Sequence, residues 1–330
     1  MIRTMASATD GTLYAQDGIT LVRWRADSGT STLHSTLVPS GQATRMLSVS
    51  EKGDCLLPDK SDCKTVANYP FAEIRALAVS PSGELYIAGD LHGDRAHFDR
   101  ICAAASLADH PNRQMVLQEV CHGGPTYPDS TADMSHRLLE EVIRLKAACP
   151  VQFHFLLSNH ELSELTDHPI VKGGRMLNLQ FRYGLHIAYG NRAEEVRSGY
   201  MAFLASCPMA IRLGRIFISH SLPSTCDLRG FDSGCLDRPF RDVDVMPSGD
   251  VYRLVWGRDF RAQNAEAFCR LVDADVLIHG HEPCSDGYQV PNDRQVILDG
   301  QGPRATYAVL PTDRPLNHAD VVACVRRIEE

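Results

Sequence analysis

From about residue 83 onward, short apolar runs alternate with segments in which apolar residues recur at helical spacing. Short apolar runs bounded by turn residues are typical of buried strands. Such strands are predicted over 85–88, 114–119, 151–157, 215–219, 276–279 and 296–298. Helices are predicted between them, over 99–108, 134–148, 193–205 and 262–272. This alternation predicts a layered α/β architecture around one or two sheets.

Residues 1–75 have a different character. They are rich in Ser, Thr and Gly and carry short alternating runs such as 20–24. Alternation of apolar and polar positions is typical of half-buried strands, and the polar residues between them are typical of turns. We therefore expect a small β-rich N-terminal extension over 1–75 and a larger α/β domain over 76–330.

Five of the predicted strands are followed by side chains that can bind a metal ion. These are Asp90 with His92, Glu119, Asn159 with His160, His220, and His279 with His281. Gly89 is expected to end the first strand, so that Asp90 projects from a turn. Ligand sites of open α/β sheets collect outside the C-terminal ends of strands, and carboxylate and imidazole groups suit Mn²⁺, Fe or Zn²⁺. Five such strand ends indicate a metal site rather than core packing.

Bulk composition narrows the class of protein only slightly. Apolar residues make up 44% of the chain and charged residues 22%, which is ordinary for a globular protein. The net charge of −8 offers no electrostatic attraction to nucleic acid or to anionic lipid. We therefore expect neither a nucleic acid polymer nor a membrane as a partner.

The cysteines and the N-terminus bear on the cellular compartment. The 11 cysteines are scattered, with no Cys-x-x-Cys pair, which favours reduced thiols over a disulfide framework. No apolar segment of the secretory type follows Met1, and no stretch approaches the roughly 18 apolar residues of a membrane helix. A cytoplasmic location is expected.

Three motifs, in order along the chain, resemble those of a known family. Residues 89–93 read Gly-Asp-x-His-Gly, residues 158–161 read Ser-Asn-His-Glu, and His281 is followed by Asp-Gly-Tyr at 286–288. The chain thereby resembles the calcineurin-like metallophosphoesterases, in particular the phosphoprotein phosphatase branch. The resemblance spans roughly residues 84–310. It implies that residues 76–330 form a metallophosphoesterase domain, an α/β fold with two mixed β-sheets in a sandwich flanked by helices.

The resemblance also implies a role for each residue of the site. Two divalent ions, of Mn, Fe or Zn, would be the cofactors. Their ligands would be Asp90, His92 and Glu119 for one ion, and Glu119, Asn159, His220 and His281 for the other. Two such ions share a bridging hydroxide that attacks phosphorus in line with the leaving oxygen. His160 would be the general acid that protonates this oxygen.

The family's second motif, Gly-Asp-x-x-Asp-Arg-Gly, is the one from which this chain departs. Glu119 falls at the Asp that bridges both metals, His122 at the second Asp, and Gly123 at the Arg. The extra methylene of a Glu moves its carboxylate by about 1.5 Å. His122 could orient His160 in place of the absent Asp. A structural loop beside a mononuclear site is the alternative interpretation of this segment.

Without the family's Arg at this position, the chain lacks a bidentate pair of hydrogen bonds to phosphate, and another Arg would have to supply it. Arg258, in the Trp-Gly-Arg segment at 256–258, is the first candidate for this role, and Arg95 and Arg261 are the next candidates.

The last histidine ligand is also a choice between two residues. His279 and His281 lie two apart and would face the same side of an extended chain, and the family pattern favours His281.

The function expected from this resemblance is metal-dependent hydrolysis of a phosphomonoester, with phosphoserine or phosphothreonine on protein as the substrate. One alternative is hydrolysis of a nucleotide phosphoanhydride such as a dinucleoside polyphosphate. The other is a non-catalytic binding module that keeps a metal-stabilised fold. The presence of His160 argues against this module, because a module without activity needs no general acid.

Overall fold

The computed structural model describes residues 82–238 and 240–329 in full, and the backbone of several strands that precede them. The strands are β1 (Thr4–Ser7), β2 (Leu13–Asp17), β3 (Thr20–Asp27), β4 (Thr30–Thr36), β5 (Ser48–Val49), β6 (Cys55–Leu56), β7 (Ile74–Ala76), β8 (Glu84–Asp90), β9 (Arg113–Gln118), β10 (Phe153–Leu156), β11 (Val171–Lys172), β12 (Arg175–Met176), β13 (Ala210–Leu213), β14 (Ile216–Ser219), β15 (Val276–His279), β16 (Tyr288–Asn292), β17 (Gln295–Leu298), β18 (Thr306–Pro311) and β19 (Val325–Arg327).

Along the chain, the helices follow or connect the strands of the two large sheets. They are α1 (Arg95–Ala105), α2 (His136–Ala148), α3 (Asn159–Thr166), α4 (Leu177–Tyr189), α5 (Ala193–Leu204), α6 (Cys226–Arg229), α7 (Asp242–Val245), α8 (Asp250–Trp256), α9 (Ala262–Leu271) and α10 (His318–Ala323). Within the described part of the chain, Gly190–Arg192 and Ser233–Leu236 form short 3₁₀ helices.

Two large mixed sheets form the framework of the α/β domain, and β11 and β12 pair in a separate antiparallel hairpin. The five-stranded sheet has the order β10-β9-β8-β18-β19, in which β8, β9 and β10 are parallel and β18 is antiparallel to β8. The six-stranded sheet has the order β16-β17-β15-β14-β13-β7, with β14, β15 and β17 parallel. In each sheet, the parallel strands bring their C-terminal ends to one edge, as expected for the site.

Alternate side chains of these strands belong to two separate apolar cores. On β8, Leu85 and Ile87 belong to a core made by strands of both sheets, whereas Tyr86 and Ala88 belong to the core that includes the helices. The same alternation occurs on β14 and β15. Because successive strand residues point to opposite faces, each sheet is buried on both sides. The predicted sandwich of two mixed sheets flanked by helices is confirmed.

Element boundaries differ from the predicted ones where local contacts override periodicity. Helix α1 begins at Arg95 rather than at 99, because the Asp94 side chain caps it by accepting the His97 N–H (3.0 Å). Gly89 does not end the first strand, which runs on to Asp90. A side chain at 89 would clash, since its Cβ would lie 2.1 Å from Leu298 O. Gly89 therefore serves close approach of the backbones of β8 and the end of β17.

The N-terminal strands form small sheets of their own, apart from β7. Strands β1 to β4 form an antiparallel four-stranded sheet in sequence order, and β5 pairs with β6. Strand β7 pairs in parallel with β13 and so belongs to the six-stranded sheet. The proposed boundary at residue 75 falls within β7, and the division into 1–75 and 76–330 stays a prediction.

Two further observations concern the compartment. Every cysteine whose side chain the structure describes is free of disulfide bonds. Among the described residues, none of the helices is both long enough and apolar enough to cross a membrane.

Candidate metal centre

The structure brings all six predicted metal ligands together where strands from both sheets end. Asp90 ends β8, Glu119 directly follows β9, and Asn159 opens α3 shortly after β10. On the other sheet, His220 directly follows β14 and His281 lies two residues beyond β15. His92 lies in the turn after Asp90. All six are buried or nearly so.

Glu119 lies at the centre of this cluster. Its Oε1 is 3.3 Å from Nε2 of His92 and 3.3 Å from Nε2 of His160, and its Oε2 is 2.8 Å from Nε2 of His220. Two groups of potential ligands therefore share this carboxylate, one with His92 and His160 and the other with His220 and His281. Within each group the ligand atoms lie within 4.8 Å of one another.

Asp90 and Asn159 complete the cluster. Asp90 Oδ1 accepts the backbone N–H of His281 (2.9 Å) and lies 3.8 Å from Nδ1 of His220. Asn159 Oδ1 lies 2.5 Å from His220 Nε2. Asp90 lies close against the backbone of Gly280. A Cβ at this position would lie 2.3 Å from Asp90 Oδ1, so a larger residue would displace the carboxylate.

Four residues of the site region have backbones in the left-handed region. The φ angles are 43° at His92, 43° at Glu119, 66° at His122 and 70° at His281. Non-glycine residues adopt this conformation at a cost, and such residues cluster at functional sites because the surroundings hold them there. At these positions the backbone directs side chains of the two sheets toward one point.

Burial dominates the electrostatics of the cluster. It raises the pKa of Asp90 well above the usual range, and repulsion by Glu119 adds to this effect. Burial likewise raises the pKa of Glu119. Burial lowers the pKa of His92 to about 4 and that of His220 to about 3, so both imidazoles are neutral at pH 7. Neutral imidazole is the form that binds metal.

The residues present fit divalent cations. Nε2 of His281 and Oε2 of Glu119 are buried and make no hydrogen bond within the part of the chain that the structure describes. The 2.8 Å contact of Glu119 Oε2 with His220 therefore lacks hydrogen-bond geometry. Buried polar atoms without partners need an explanation, and a cation bound to carboxylate and imidazole supplies one.

Gln118 holds His220 in the orientation that a ligand needs. Its Oε1 accepts a hydrogen bond from His220 Nδ1 (2.9 Å), while its Nε2 donates to Ala88 O (3.1 Å). Nδ1 of His220 thus carries the proton and Nε2 is left to face the cluster. Sequence reasoning missed Gln118, because a single polar residue in an apolar strand carries no signal of its partner.

Glu161 ties the loop after β9 to helix α3. Its Oε1 accepts the backbone N–H groups of Val120 (3.0 Å) and Cys121 (2.9 Å), and the Ser158 hydroxyl donates to its other oxygen. Ser158 also caps α3, since its Oγ accepts the N–H of His160 (3.1 Å). Serine in place of the family's glycine therefore has a structural role here.

Of the three candidate arginines, Arg258 is the one whose positive charge contributes, after burial, to the lowered pKa of His220 in the cluster around Glu119. The Arg258 side chain is half exposed and forms an ion pair with Glu282. Arg95 pairs with Asp99 and Glu141, and Arg261 pairs with Asp227 and Asp259.

A lysine that sequence reasoning did not single out has an electrostatic effect on His92. Lys172 lies exposed in the β11–β12 hairpin, and its charge contributes, after burial, to the lowered pKa of His92. No motif marks this lysine.

His281 rather than His279 belongs to the cluster around Glu119, which allows a direct test. The ring of His279 instead donates from Nδ1 to Ser219 O (3.2 Å). We expect His281→Ala to lower the metal content by at least one ion per chain, whereas His279→Ala keeps the wild-type content. Elemental analysis of the two purified variants checks this, and loss of metal from the His279 variant alone would reverse the assignment.

Comparisons with known proteins agree with the resemblance predicted from the sequence. No protein-family model matches the chain. A curated serine/threonine-protein phosphatase of Caenorhabditis elegans is 22% identical over 237 residues, which are 64% of this chain and 45% of that protein. The chain thus spans less than half the length of this curated relative.

Two solved structures share the fold at low sequence identity. A protein serine/threonine phosphatase from Saccharomyces cerevisiae is 15% identical, with a TM-score of 0.50 over 75% of this chain and 82% of that one. A cold-active protein-tyrosine phosphatase of a psychrophilic Shewanella is 10% identical, with a TM-score of 0.51 over 98% of both chains. These two structures confirm the predicted fold, and the curated relative agrees with the resemblance to the phosphoprotein phosphatases.

Proposed function

We propose that this protein is a metal-dependent phosphoesterase that hydrolyses a phosphomonoester, with phosphoserine or phosphothreonine on protein as the substrate. The observation that carries the proposal is the position of Glu119, whose two oxygens face separate groups of buried imidazoles. One carboxylate shared in this way suits two adjacent divalent ions. We propose Mn²⁺ first and Fe or Zn²⁺ as alternatives.

Each residue of the site has a task in this reaction. The six ligands would hold the two ions, which supply Lewis acidity toward the phosphoryl group and an activated water. His160 presents Nε2 at the edge of the cluster, where it can protonate the leaving oxygen. Burial of the carboxylates keeps competing water away from them and strengthens their interaction with a cation.

The first experiment is turnover of p-nitrophenyl phosphate by the purified protein loaded with Mn²⁺, Fe²⁺ or Zn²⁺. Turnover that EDTA abolishes and metal restores is the expected result. Peptides carrying phosphoserine, phosphothreonine or phosphotyrosine then identify the preferred monoester. If every phosphoester resists hydrolysis while metal still raises the melting temperature, the protein is a metal-stabilised binding module instead.

Arg258 is proposed as the residue that binds substrate phosphate. We expect Arg258→Ala to raise KM by about 10-fold to 100-fold with a smaller change in kcat, since a charge-assisted hydrogen bond contributes about 1.5–3 kcal/mol. Steady-state kinetics with a phosphopeptide measure this. Arg261→Ala is the matched control, because its guanidinium is held by Asp227 and Asp259. An equal rise of KM in both variants would count against Arg258.

Hydrolysis of a dinucleoside polyphosphate is the second candidate, favoured by an aromatic surface beside the site. The rings of Trp256 and Tyr252 stack with centroids 5.6 Å apart, and Trp256 lies 6.2 Å from the ring of His281. Both are partly exposed, and stacking of a base on such a ring contributes about 1–3 kcal/mol. A kcat/KM for diadenosine tetraphosphate above that for every phosphopeptide would favour this candidate.

We also propose a cytoplasmic location and a division of the chain into an N-terminal extension and a phosphoesterase domain. Unbridged cysteines throughout the described range support a reducing compartment. We propose residues 76–330 as the phosphoesterase domain and 1–75 as an extension to it. The partner is a phosphorylated substrate, protein or small molecule, rather than a nucleic acid polymer or a membrane.

A further inference from the structure

His122 connects the proposed general acid to a buried carboxylate. Its Nδ1 lies 3.0 Å from Nδ1 of His160, and its Nε2 lies 3.1 Å from Oε1 of Glu164. The side chains of His122 and Glu164 are 0% exposed, so water competes with neither contact. The three residues form a continuous chain of hydrogen bonds that ends at the metal cluster.

The carboxyl group at the far end of this chain lies beside an amide donor and two guanidinium groups. Asn178 Nδ2 donates to Glu164 Oε1 (2.8 Å). Arg197 Nε lies 3.5 Å from Glu164 Oε2, and Arg182 Nε lies 4.0 Å from the same atom, neither with hydrogen-bond geometry. Oε1, the oxygen that faces His122, is therefore already an acceptor of a hydrogen bond.

The protons in the chain follow from these contacts. Because Glu164 Oε1 accepts from Asn178, it acts as an acceptor toward His122 as well, and Nε2 of His122 is the donor. Nδ1 of His122 then has a free lone pair and accepts the Nδ1–H of His160. Nε2 of His160 is thereby directed toward the cluster, where it lies 3.3 Å from Glu119 Oε1. To act as the general acid, His160 takes up a second proton on Nε2 from solvent, and this proton is the one given to the leaving oxygen while Nδ1–H stays bonded to His122.

We infer that His122 and Glu164 are positioning residues that hold the His160 ring through its Nδ1–H, so that Nε2 is the nitrogen that gains and gives the catalytic proton, in place of the missing carboxylate of the second motif. This inference rests on the proposed phosphoesterase function. Nδ1 of a histidine and Oδ of an aspartate are the same number of bonds from Cα. His122 can therefore place an acceptor where an aspartate would place one, and Glu164 holds the His122 ring from its other side.

The experiment compares substrates that differ only in their need for a general acid. A phenolate leaving group needs protonation, whereas 2,4-dinitrophenolate leaves without it. We expect His122→Ala to lower kcat for phenyl phosphate by about 100-fold and Glu164→Gln by about 10-fold, with much smaller losses for 2,4-dinitrophenyl phosphate. His122→Asp, which restores an acceptor at the same distance, should recover part of the loss.

A second buried pair of the same kind serves as the matched control. His136 Nδ1 lies 3.2 Å from Glu140 Oε1 on helix α2. Glu140→Gln should leave the ratio of the two substrates at the wild-type value. Equal losses on both substrates in the His122 and Glu164 variants would indicate a merely structural role and overturn the inference, as would no loss on either.

A nitrogen-15 NMR measurement of the His160 tautomer in the Zn²⁺-loaded protein separates this inference from the proposed function. We expect an Nδ1–H signal in the wild type and a mixed tautomer in His122→Ala. If the wild type shows the Nδ1–H tautomer and hydrolyses no phosphoester, the proposed function fails while the positioning role stands. An Nε2–H tautomer in an active wild type would overturn the positioning role alone.

Discussion

Replacement of Glu119 by alanine is expected to remove at least one divalent ion per chain and to lower kcat/KM by about 100-fold or more. The reason is that Glu119 is common to both groups of candidate ligands, so its loss weakens two binding sites at once. Loss of several kcal/mol of transition-state stabilisation corresponds to such a factor. Elemental analysis of the purified variant and its steady-state kinetics check the two parts of the prediction.

Two conservative variants sharpen this test. Glu119→Gln keeps the size of the side chain and removes its charge, so it should lose metal almost as fully as the alanine variant. Glu119→Asp restores the family's residue with a shorter side chain and should retain part of the metal content. Two ions per chain in the alanine variant would contradict the bridging role and leave Glu119 as a loop residue beside a site of different composition.

The sheets and the location of the site could be predicted from local patterns. Strand β15, at Val276–His279, coincides with the predicted run of 276–279 because apolar residues continue to its end. The C-terminal ends of parallel strands meet at one edge, so side chains that follow such strands converge. Within the five-stranded sheet this rule alone is enough to bring Asp90 and Glu119 together, whereas the approach of His220 to Asp90 also depends on how the two sheets pack against each other.

The supporting contacts could not be predicted, because they depend on how separate elements pack. Gln118 lies within an apolar strand and Glu164 on the inner side of a short helix. Their partners are 102 and 42 positions away in the sequence, respectively. Neither residue belongs to a family motif that the chain retains. Tertiary packing assigns them a role, and only a structure can reveal it.

At the altered second motif, local sequence and tertiary structure each explain part of the arrangement. From the sequence, the extra length of Glu119 relative to an aspartate is accommodated either by a slight retreat of the strand or by a shift of the metals. In the structure the Glu119 backbone adopts φ 43° directly after β9, and its carboxylate lies among the candidate ligands. This local backbone conformation is the feature that the sequence pattern did not predict.

Replacement of His160 by glutamine is expected to lower kcat by about 100-fold to 10,000-fold while both ions remain bound. General acid catalysis contributes a factor of this size. The geometry also offers a competing role, because His160 lies close enough to Glu119 and His92 to be a ligand itself. Kinetics alone would not distinguish the two roles, since loss of a metal also abolishes turnover.

Metal content and leaving-group dependence together decide the role of His160. If His160 is the general acid, His160→Gln keeps two ions and regains much of its rate on 2,4-dinitrophenyl phosphate, whose leaving group needs no proton. If it is a ligand, one ion is lost and both substrates slow equally. The hydrogen bond between Nδ1 of His160 and His122 favours the general-acid role, because it fixes the ring independently of any cation.

His92 has no comparable side-chain partner. Among the described residues, its Nδ1 contacts only the backbone oxygens of Cys121 and His122. A metal-binding His92 beside a proton-donating His160 is therefore the division of labour that this experiment should reveal.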